Sequence, residues 1–254
     1  SGGVKWAPLA VFALIVLGWH AAVVAFGIPP YLLPDPATVA AEAWAHAGEL
    51  VRSSAVTGAA ALIGFALSLG SGVLIAFAFA QSRVVARSFW PYAVFLQTVP
   101  IVAIAPLIVI WSGPGFRSVV LVTWLVGVFP IITSGTAGLT DVEPELLELF
   151  RVHNASRWQT LWKLRLPHAV PHLMAGAQAS GGLSVVGAIA GEVFAGYGSS
   201  ARGLGYLILL TSGQLRTAYL FAAVLACTLL GLIAFGTLTF VGNAIGSRWR
   251  DEPL

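Results

Sequence analysis

Residues 141–168 read DVEPELLELFRVHNASRWQTLWKLRLPH and form a polar segment in a chain that is otherwise strongly apolar. The chain carries 13 basic and 10 acidic residues, and eight of them lie in this segment. They are Asp141, Glu143, Glu145, Glu148, Arg151, Arg157, Lys163 and Arg165. Long apolar stretches flank the segment, so we interpret it as a loop between two membrane spans. A loop with this many charges and with helix signals of its own is expected to bind another component.

The composition indicates a membrane protein. Hydrophobic residues make up 58% of the 254 residues and charged residues 9%, whereas about a quarter of the residues in a typical soluble domain are charged. The single cysteine, Cys227, excludes an intramolecular disulfide and a cysteine metal cluster. A net charge of +3 in such a protein reflects basic loops on the cytoplasmic side, so we expect membrane lipid around the chain and no nucleic-acid partner. The length suits a single domain over 1–254, a bundle of transmembrane helices.

Six apolar stretches are each long enough to cross a bilayer, which predicts an all-α membrane protein with six transmembrane helices. The stretches are 6–26, 56–80, 89–111, 118–138, 170–195 and 218–242. An N-terminus in the cytoplasm places nine of the 13 basic residues on that side: Lys5, Arg83, Arg87, Arg151, Arg157, Lys163, Arg165, Arg248 and Arg250. We therefore expect both termini and the loop at 140–168 to be cytoplasmic. The first stretch is interpreted as a span and not as a signal peptide.

Proline and glycine mark further features of the spans. Asp35 is a good N-cap before Pro36, which predicts a short amphipathic external helix over 36–51. Interruptions are expected in the third span at Pro100 and Pro106, and in the fourth at Gly127 and Pro130. Such breaks are typical of backbone that lines a cavity. The glycines of the fifth span are better explained by close helix packing.

The polar loop contains two helix-start patterns. Thr140 and Glu143 fit a capping box, so a helix is expected from about Asp141 to Val152 or His153. Asn154 follows at the position where a left-handed residue ends a helix.

The second pattern, Ser156 with Gln159, predicts a new short helix. Its Trp158, Leu161 and Trp162 have the spacing of one exposed helix face. This apolar ridge suits the lipid interface or a groove on a soluble partner, and the residues alone leave both open.

The same loop resembles the cytoplasmic signature loop of binding-protein-dependent ABC importer permeases. That pattern is Glu-Ala-Ala, three residues, Gly, nine residues, then Ile-x-Leu-Pro. Here Glu148-Leu149-Phe150, Asn154 and 164–167 (Leu-Arg-Leu-Pro) keep both spacings, with Leu149, Phe150, Asn154 and Leu164 as departures. The pattern Pro100…Pro106-Leu107, Gly191-Glu192 and the stretch 203–208 are similar to the nitrate/sulfonate/taurine-type subfamily.

The resemblance implies a type I ABC importer permease whose short helix docks on a separate ATPase. The positions carried over to this ATPase coupling are Glu148, Asn154, Ser156, Arg157, Trp158, Leu161, Trp162 and Pro167. The implied partners are a second copy of the permease, two cytoplasmic ABC ATPase subunits and a periplasmic or lipid-anchored substrate-binding protein in a bacterial inner membrane. The implied substrate is a small anion of the sulfonate, taurine or nitrate type, or a vitamin-precursor heterocycle.

The chain itself is not expected to be an enzyme or to bind a cofactor or metal. Its only two lysines, Lys5 and Lys163, do not follow glycine, so a P-loop is excluded and ATP and Mg are expected on the partner ATPase. A stand-alone secondary transporter or channel is the alternative function. An internal repeat and more intramembrane charge would favour that alternative, and the sequence shows neither.

Candidate residues of a translocation path lie inside the spans. Gln97 and Thr98 precede the break at Pro100, and Pro130 marks the fourth span. Glu192 is the only acidic residue deep in a span, and it is either functional or a structural carboxyl group with partners.

The glycine-rich stretch 196–205 predicts a re-entrant or gating loop on the outer side. Arg202, Gly203 and Gly205 are its candidate gate residues. Arg202 suits an anion sensor and an interfacial arginine equally well.

Overall fold

The computed structural model describes residues 6–196 and 202–250, and every regular element in that part of the chain is helical. The all-α fold is therefore confirmed. The helices are α1 (Ala7–Phe26), α2 (Pro36–Ala45), α3 (Ala47–Gln81), α4 (Arg83–Thr98), α5 (Ile101–Ser112), α6 (Phe116–Thr140), α7 (Pro144–Val152), α8 (Arg157–Thr160), α9 (Leu166–Ala195), α10 (Leu204–Gly213) and α11 (Thr217–Arg250). A π-helical turn, Leu161–Arg165, joins α8 to α9.

Five helices in the described ranges are long and apolar enough to cross a membrane, and they cover five of the six predicted spans. They are Ala7–Phe26, Ala47–Gln81, Phe116–Thr140, Arg157–Ala195 and Thr217–Ala244. The predicted third span, 89–111, is instead divided between α4 and α5, which have 16 and 12 residues. Each is shorter than the roughly 20 residues that one helical crossing needs.

The division falls at Val99 and Pro100, as the sequence predicted. Val99 is extended (φ −74°, ψ 124°), the conformation imposed on a residue before proline, and Pro100 is the N-cap of α5. Pro106 and Pro130, however, lie inside α5 and α6, and the expected interruptions there are wrong. Each proline removes one backbone donor, and packing against neighbouring helices keeps such a helix continuous.

The core of the bundle is the contact of α3, α6 and α9, whose backbones approach closely at glycines. A Cβ on Gly64 would lie 2.5 Å from Cβ of Thr123, and one on Gly176 would lie 2.9 Å from the Pro130 carbonyl oxygen. The packing explanation for the fifth-span glycines is thus confirmed at Gly176. Gly182, by contrast, has no neighbour within 4 Å of an added Cβ.

Hydroxyl groups join the same three helices around Gly127. Ser68 on α3 donates to the Trp124 carbonyl at 2.8 Å, and Ser180 on α9 donates to the Gly127 carbonyl at 2.7 Å. Both serines are fully buried. These bonds fix α6 between its two neighbours, because a buried hydroxyl group that loses its partner is costly.

The external helix is shorter than predicted. Asp35 caps α2 by accepting the Ala37 N–H at 3.1 Å, and it also bonds to His20 at 2.5 Å. The helix ends at Ala45, and residues from Ala47 onward belong to α3, so the predicted boundary at 51 is wrong. His46 separates the two helices with non-helical backbone angles (φ −110°, ψ 20°).

Candidate functional site

The polar loop begins differently from the sequence prediction. Helix α6 continues to Thr140, whose hydroxyl donates to the Thr136 carbonyl at 2.8 Å. Glu143 is the N-cap of α7 without a side-chain capping bond. The predicted capping box and the start at Asp141 are therefore wrong. The cause is Pro144, which holds Glu143 in an extended conformation and so starts the helix at itself.

Helix α7 ends as predicted, with Asn154 in the left-handed conformation at φ 51°. The Asn154 N–H donates to the Arg151 carbonyl at 3.0 Å, and the Ala155 N–H donates to the Phe150 carbonyl at 2.9 Å. This pair of bonds is the Schellman motif, which satisfies the last carbonyls of a helix. Asparagine thus takes the position that the resembled pattern gives to glycine.

The second capping box is confirmed. The Ser156 hydroxyl accepts the Gln159 N–H at 3.2 Å, and the Gln159 side chain accepts the Ser156 N–H at 2.7 Å. The helix that starts here is not a separate short one, however. It continues through the π turn into α9, so that Arg157–Ala195 is a single helix of 39 residues.

The π turn lies where Pro167 would disturb a regular helix. The Leu166 N–H donates to the Leu161 carbonyl five residues back, one residue farther than in an α-helix. The proline ring carries no N–H and collides with the carbonyl four residues before it in regular geometry. The wider turn accommodates the ring without ending the helix, a feature that no pattern in the sequence predicts.

Only part of the predicted apolar ridge is exposed. Trp158 and Trp162 are 68% and 60% exposed, whereas Leu161 is 3% exposed. Leu161 belongs to a buried cluster with Ala76, Leu139 and Ala169. The prediction that Leu161 shares the exposed face is wrong, because its side chain anchors the start of the long helix to α3 and α6. The exposed part is the tryptophan pair, Trp158 and Trp162.

Residues of both helices of the loop line a groove near the tryptophan pair. A groove of about 340 Å³ is lined by Leu149, Phe150, His153, Ala155, Gln159 and Lys163. Two of the departures from the resembled pattern, Leu149 and Phe150, therefore lie in the wall of this groove. Glu148 and Arg157 are exposed on the same loop.

Arg165 was not a predicted site residue, yet it connects the loop to the bundle. Its Nη1 donates to the Ala80 carbonyl at 3.1 Å, near the end of α3. The sequence signal was a basic residue in the turn before Pro167, where free carbonyl groups of a neighbouring helix end need donors.

The structure brings Gln97, Thr98 and Pro130 to one cavity of about 750 Å³, which we term the α4–α5 cavity. The break at Val99 and Pro100 forms one wall, and α3 and α6 form the others. Its lining includes Phe79, Phe89, Tyr92, Gln97, Thr98, Ile101, Trp124, Phe129 and Pro130. Leu183 is the contribution of α9.

Glu192 is not among the described lining residues of the cavity that contains Gln97 and Thr98, and its place on the path stays a prediction. It is 3% exposed and accepts hydrogen bonds from the Thr57 hydroxyl at 2.8 Å and from the Gly205 N–H at 2.8 Å. The Leu204 N–H donates to the same Thr57 hydroxyl at 2.8 Å. The two first N–H groups of α10 are thereby satisfied, as a helix start requires. Of the two open interpretations, the geometry fits a structural carboxyl group.

Gly203 and Gly205 make room for this carboxyl group. A Cβ on Gly203 would overlap the Glu192 carboxyl oxygens, and one on Gly205 would lie 2.9 Å from Cβ of Glu192. The Arg202 guanidinium lies 5.3 Å from the centre of the Tyr206 ring, a cation–π distance. Residues 197–201 of the predicted gating loop lie outside the described residues.

Comparisons with known proteins identify the family. Residues 50–250 match the model of the family described as binding-protein-dependent transport system inner membrane component. The riboflavin transport system permease protein RibX of Chloroflexus aurantiacus is 34% identical over 230 residues, which are 90% of this chain and 84% of RibX. The formylaminopyrimidine transport permease protein ThiX of Halalkalibacterium halodurans is 29% identical over 246 residues, 96% of each chain. The chain belongs to this family and is the membrane permease of an ABC importer.

A solved structure supports the fold independently of the sequence matches. An inward-facing MetNI methionine ABC transporter aligns with a TM-score of 0.59 and covers 81% of this chain and 96% of that one. The two sequences are 19% identical, so this likeness concerns the fold alone. The permease is a multi-pass protein of the inner membrane.

Proposed function

We propose that this permease forms the substrate path of the importer and is driven by a separate ATPase that binds the tryptophan pair. The observation that carries the proposal is the exposure of Trp158 and Trp162 on a helix whose start is fixed by a full capping box. Tryptophan is a preferred anchor residue in protein interfaces, and a capped helix presents it in a defined orientation.

The helix Arg157–Ala195 provides the mechanical connection. Its 39 residues span roughly 58 Å at 1.5 Å per residue. One end carries the tryptophan pair, and the other holds the start of α10 through Glu192. In this proposal, closure of the ATPase pulls on one end of the helix and shifts the elements packed along it, including those around the α4–α5 cavity.

The involvement of an ATPase also indicates the other components of the importer. ATP and Mg are bound by that subunit, and this chain binds no cofactor. ABC ATPases work in pairs and each permease offers one docking loop, so two copies of the permease surround a shared path on a two-fold axis. A periplasmic or lipid-anchored binding protein delivers the substrate from outside. Both termini and the 140–168 loop are cytoplasmic, in agreement with the distribution of basic residues.

The names of the relatives support two substrate types. RibX is named for riboflavin and ThiX for formylaminopyrimidine, and a further relative, TauC of Escherichia coli, is named for taurine at 28% identity. We therefore propose a small vitamin-type heterocycle or a small organic or inorganic anion as the cargo.

Co-purification tests the ATPase contact. The permease is expressed together with a candidate ABC ATPase from the same genome, and the complex is isolated through a tag on the permease. Trp158→Asp is expected to lose the ATPase, because a carboxylate replaces the apolar anchor. Trp44→Asp is the matched control, since Trp44 is 86% exposed but lies on α2. Retention of the ATPase by Trp158→Asp contradicts the docking proposal, and the absence of any ATPase from the wild-type preparation favours a stand-alone transporter.

A further inference from the structure

The α4–α5 cavity has aromatic walls. Five rings line it, belonging to Phe79, Phe89, Tyr92, Trp124 and Phe129. Aromatic faces stack on flat ring systems and gain little from a compact tetrahedral group such as a sulfonate. The shape and chemistry of the walls therefore suit a flat ring.

Formal charge is missing from the walls wherever the structure describes them. None of the described lining residues is Asp, Glu, His, Lys or Arg. An anion that moves from water into such an uncharged site loses its hydration and finds no positively charged side chain, which is costly. Protein sites for sulfonate-like and phosphate-like groups instead use charged donors, often arginine.

Four side chains with polar groups remain in the described lining, and they are Tyr92, Gln97, Thr98 and Trp124. The Trp124 indole N–H already donates to the Ser71 hydroxyl at 2.9 Å, and the Thr98 hydroxyl donates to the Phe95 carbonyl at 2.8 Å. Thr98 can then only accept from a ligand, and oxygen atoms of an anion cannot donate to it. Gln97 offers both an N–H₂ and a carbonyl group, which match the mixed edge of a nitrogen heterocycle.

The break between α4 and α5 places hydrogen-bond donors and acceptors of the backbone side by side. Helix α4 ends at Thr98 with free carbonyl groups, and α5 begins at Ile101 with free N–H groups. The partial charges of these two ends have opposite signs. An anion attracted to the start of α5 is opposed by the end of α4, whereas a neutral ring with both donor and acceptor atoms is compatible with both.

From these observations we infer that the substrate held in the α4–α5 cavity is an uncharged, flat nitrogen heterocycle and not a sulfonate- or nitrate-type anion. The inference rests on the proposed function, because it takes this cavity to be part of the substrate path. It chooses between the two cargo types by the chemistry of the lining residues.

Equilibrium dialysis on the permease–ATPase complex in lipid nanodiscs, without nucleotide or binding protein, tests the choice. Three probes are compared: riboflavin, formylaminopyrimidine and taurine. At least one heterocycle is expected to bind roughly tenfold or more tightly than taurine, the order of magnitude that stacking on an aromatic side chain provides. If riboflavin binds, its fluorescence is expected to be quenched in a saturable manner by the neighbouring rings.

Three variants make the test specific. Tyr92→Ala removes an exposed ring from the cavity wall and is expected to weaken heterocycle binding roughly tenfold. Phe240→Ala removes a 76% exposed ring on α11 and is the control, with no expected change. Gln97→Arg supplies the missing cation and is expected to strengthen taurine binding roughly tenfold while weakening that of the heterocycle.

Binding of taurine to the wild-type complex as tight as that of the heterocycles would overturn the inference, as would the absence of binding for both heterocycles. Equal losses in Tyr92→Ala and Phe240→Ala would also overturn it. The proposed function fails by a different result, which is loss of the ATPase from the wild-type complex before any probe is added.

Discussion

The two ends of the helix Arg157–Ala195 differ in solvent exposure and in hydrogen bonding. At the loop end, Trp158 and Trp162 are mostly exposed. At the opposite end, Glu192 is buried and fully bonded to Thr57 and Gly205. One helix therefore carries both an exposed aromatic surface and a buried group of hydrogen bonds around Glu192, which we term the clamp. A mutation at the clamp should therefore change stability, and a mutation at the tryptophan pair should change assembly.

Loss of the clamp is expected to have the largest effect on folding. Glu192→Ala removes the acceptor of the buried Gly205 N–H and leaves the Thr57 hydroxyl with the Ser53 carbonyl alone, at a cost of about 2–5 kcal/mol. Glu192→Gln keeps an acceptor oxygen and should recover more than half of that loss. Thermal unfolding of the detergent-solubilised permease measures both. Equal stability of Glu192→Ala and wild type would show that the clamp does not hold α10.

Substitutions at two glycines of the same helix are expected to have opposite and smaller effects on stability. Gly176→Ala forces a Cβ against the Pro130 carbonyl and Ser134, which should destabilise the bundle by about 1–3 kcal/mol. Gly182→Ala meets no atom within 4 Å and should stabilise the helix by about 0.5–1 kcal/mol. The same unfolding assay compares the two variants. A destabilised Gly182→Ala would mean that this face of α9 contacts something outside the single chain.

The smallest effect is expected at the turn between the loop helices. Asn154→Gly should raise stability by a few tenths of a kcal/mol, because glycine adopts φ 51° without steric cost. Asn154→Ala should lower it by about 1 kcal/mol. Protease sensitivity of the 140–168 loop is the sharper readout, since these changes act locally. Identical cleavage rates for all three residues would exclude a role of the left-handed turn in ordering the loop.

Features of the 140–168 loop were predictable from the sequence when they depend on residues that are close together in the chain. The Ser156 capping box and the Asn154 turn depend on bonds between residues at most five positions apart, and the sequence predicted both. The start of α7 was missed because Pro144 outweighed a nearby capping pattern. The burial of Leu161 was also missed, since it depends on Ala76 and Leu139, which are distant in sequence.

In the membrane-spanning part, contacts between residues distant in sequence were again the ones that the sequence did not predict. The composition predicted the spans, and the proline at position 100 predicted the break that forms the α4–α5 cavity. Pro106 and Pro130 have the same local chemistry but lie inside continuous helices, because tertiary packing decides whether a proline ends a helix. The Glu192 clamp required Thr57, which lies 135 positions away, and no local pattern pairs them.

In the proposed mechanism, the tryptophan pair controls the α4–α5 cavity through the long helix. Thiol labelling tests it directly in vesicles containing the complete importer, with Gln97→Cys as the reporter and Cys227→Ser removing the native thiol. A small water-soluble reagent should label the reporter in one nucleotide state and not in the other. Adding Trp158→Asp should abolish that difference, while adding Trp44→Asp should preserve it. Equal labelling in both nucleotide states without the added changes, or a difference that survives Trp158→Asp, would show that the tryptophan pair does not control this cavity.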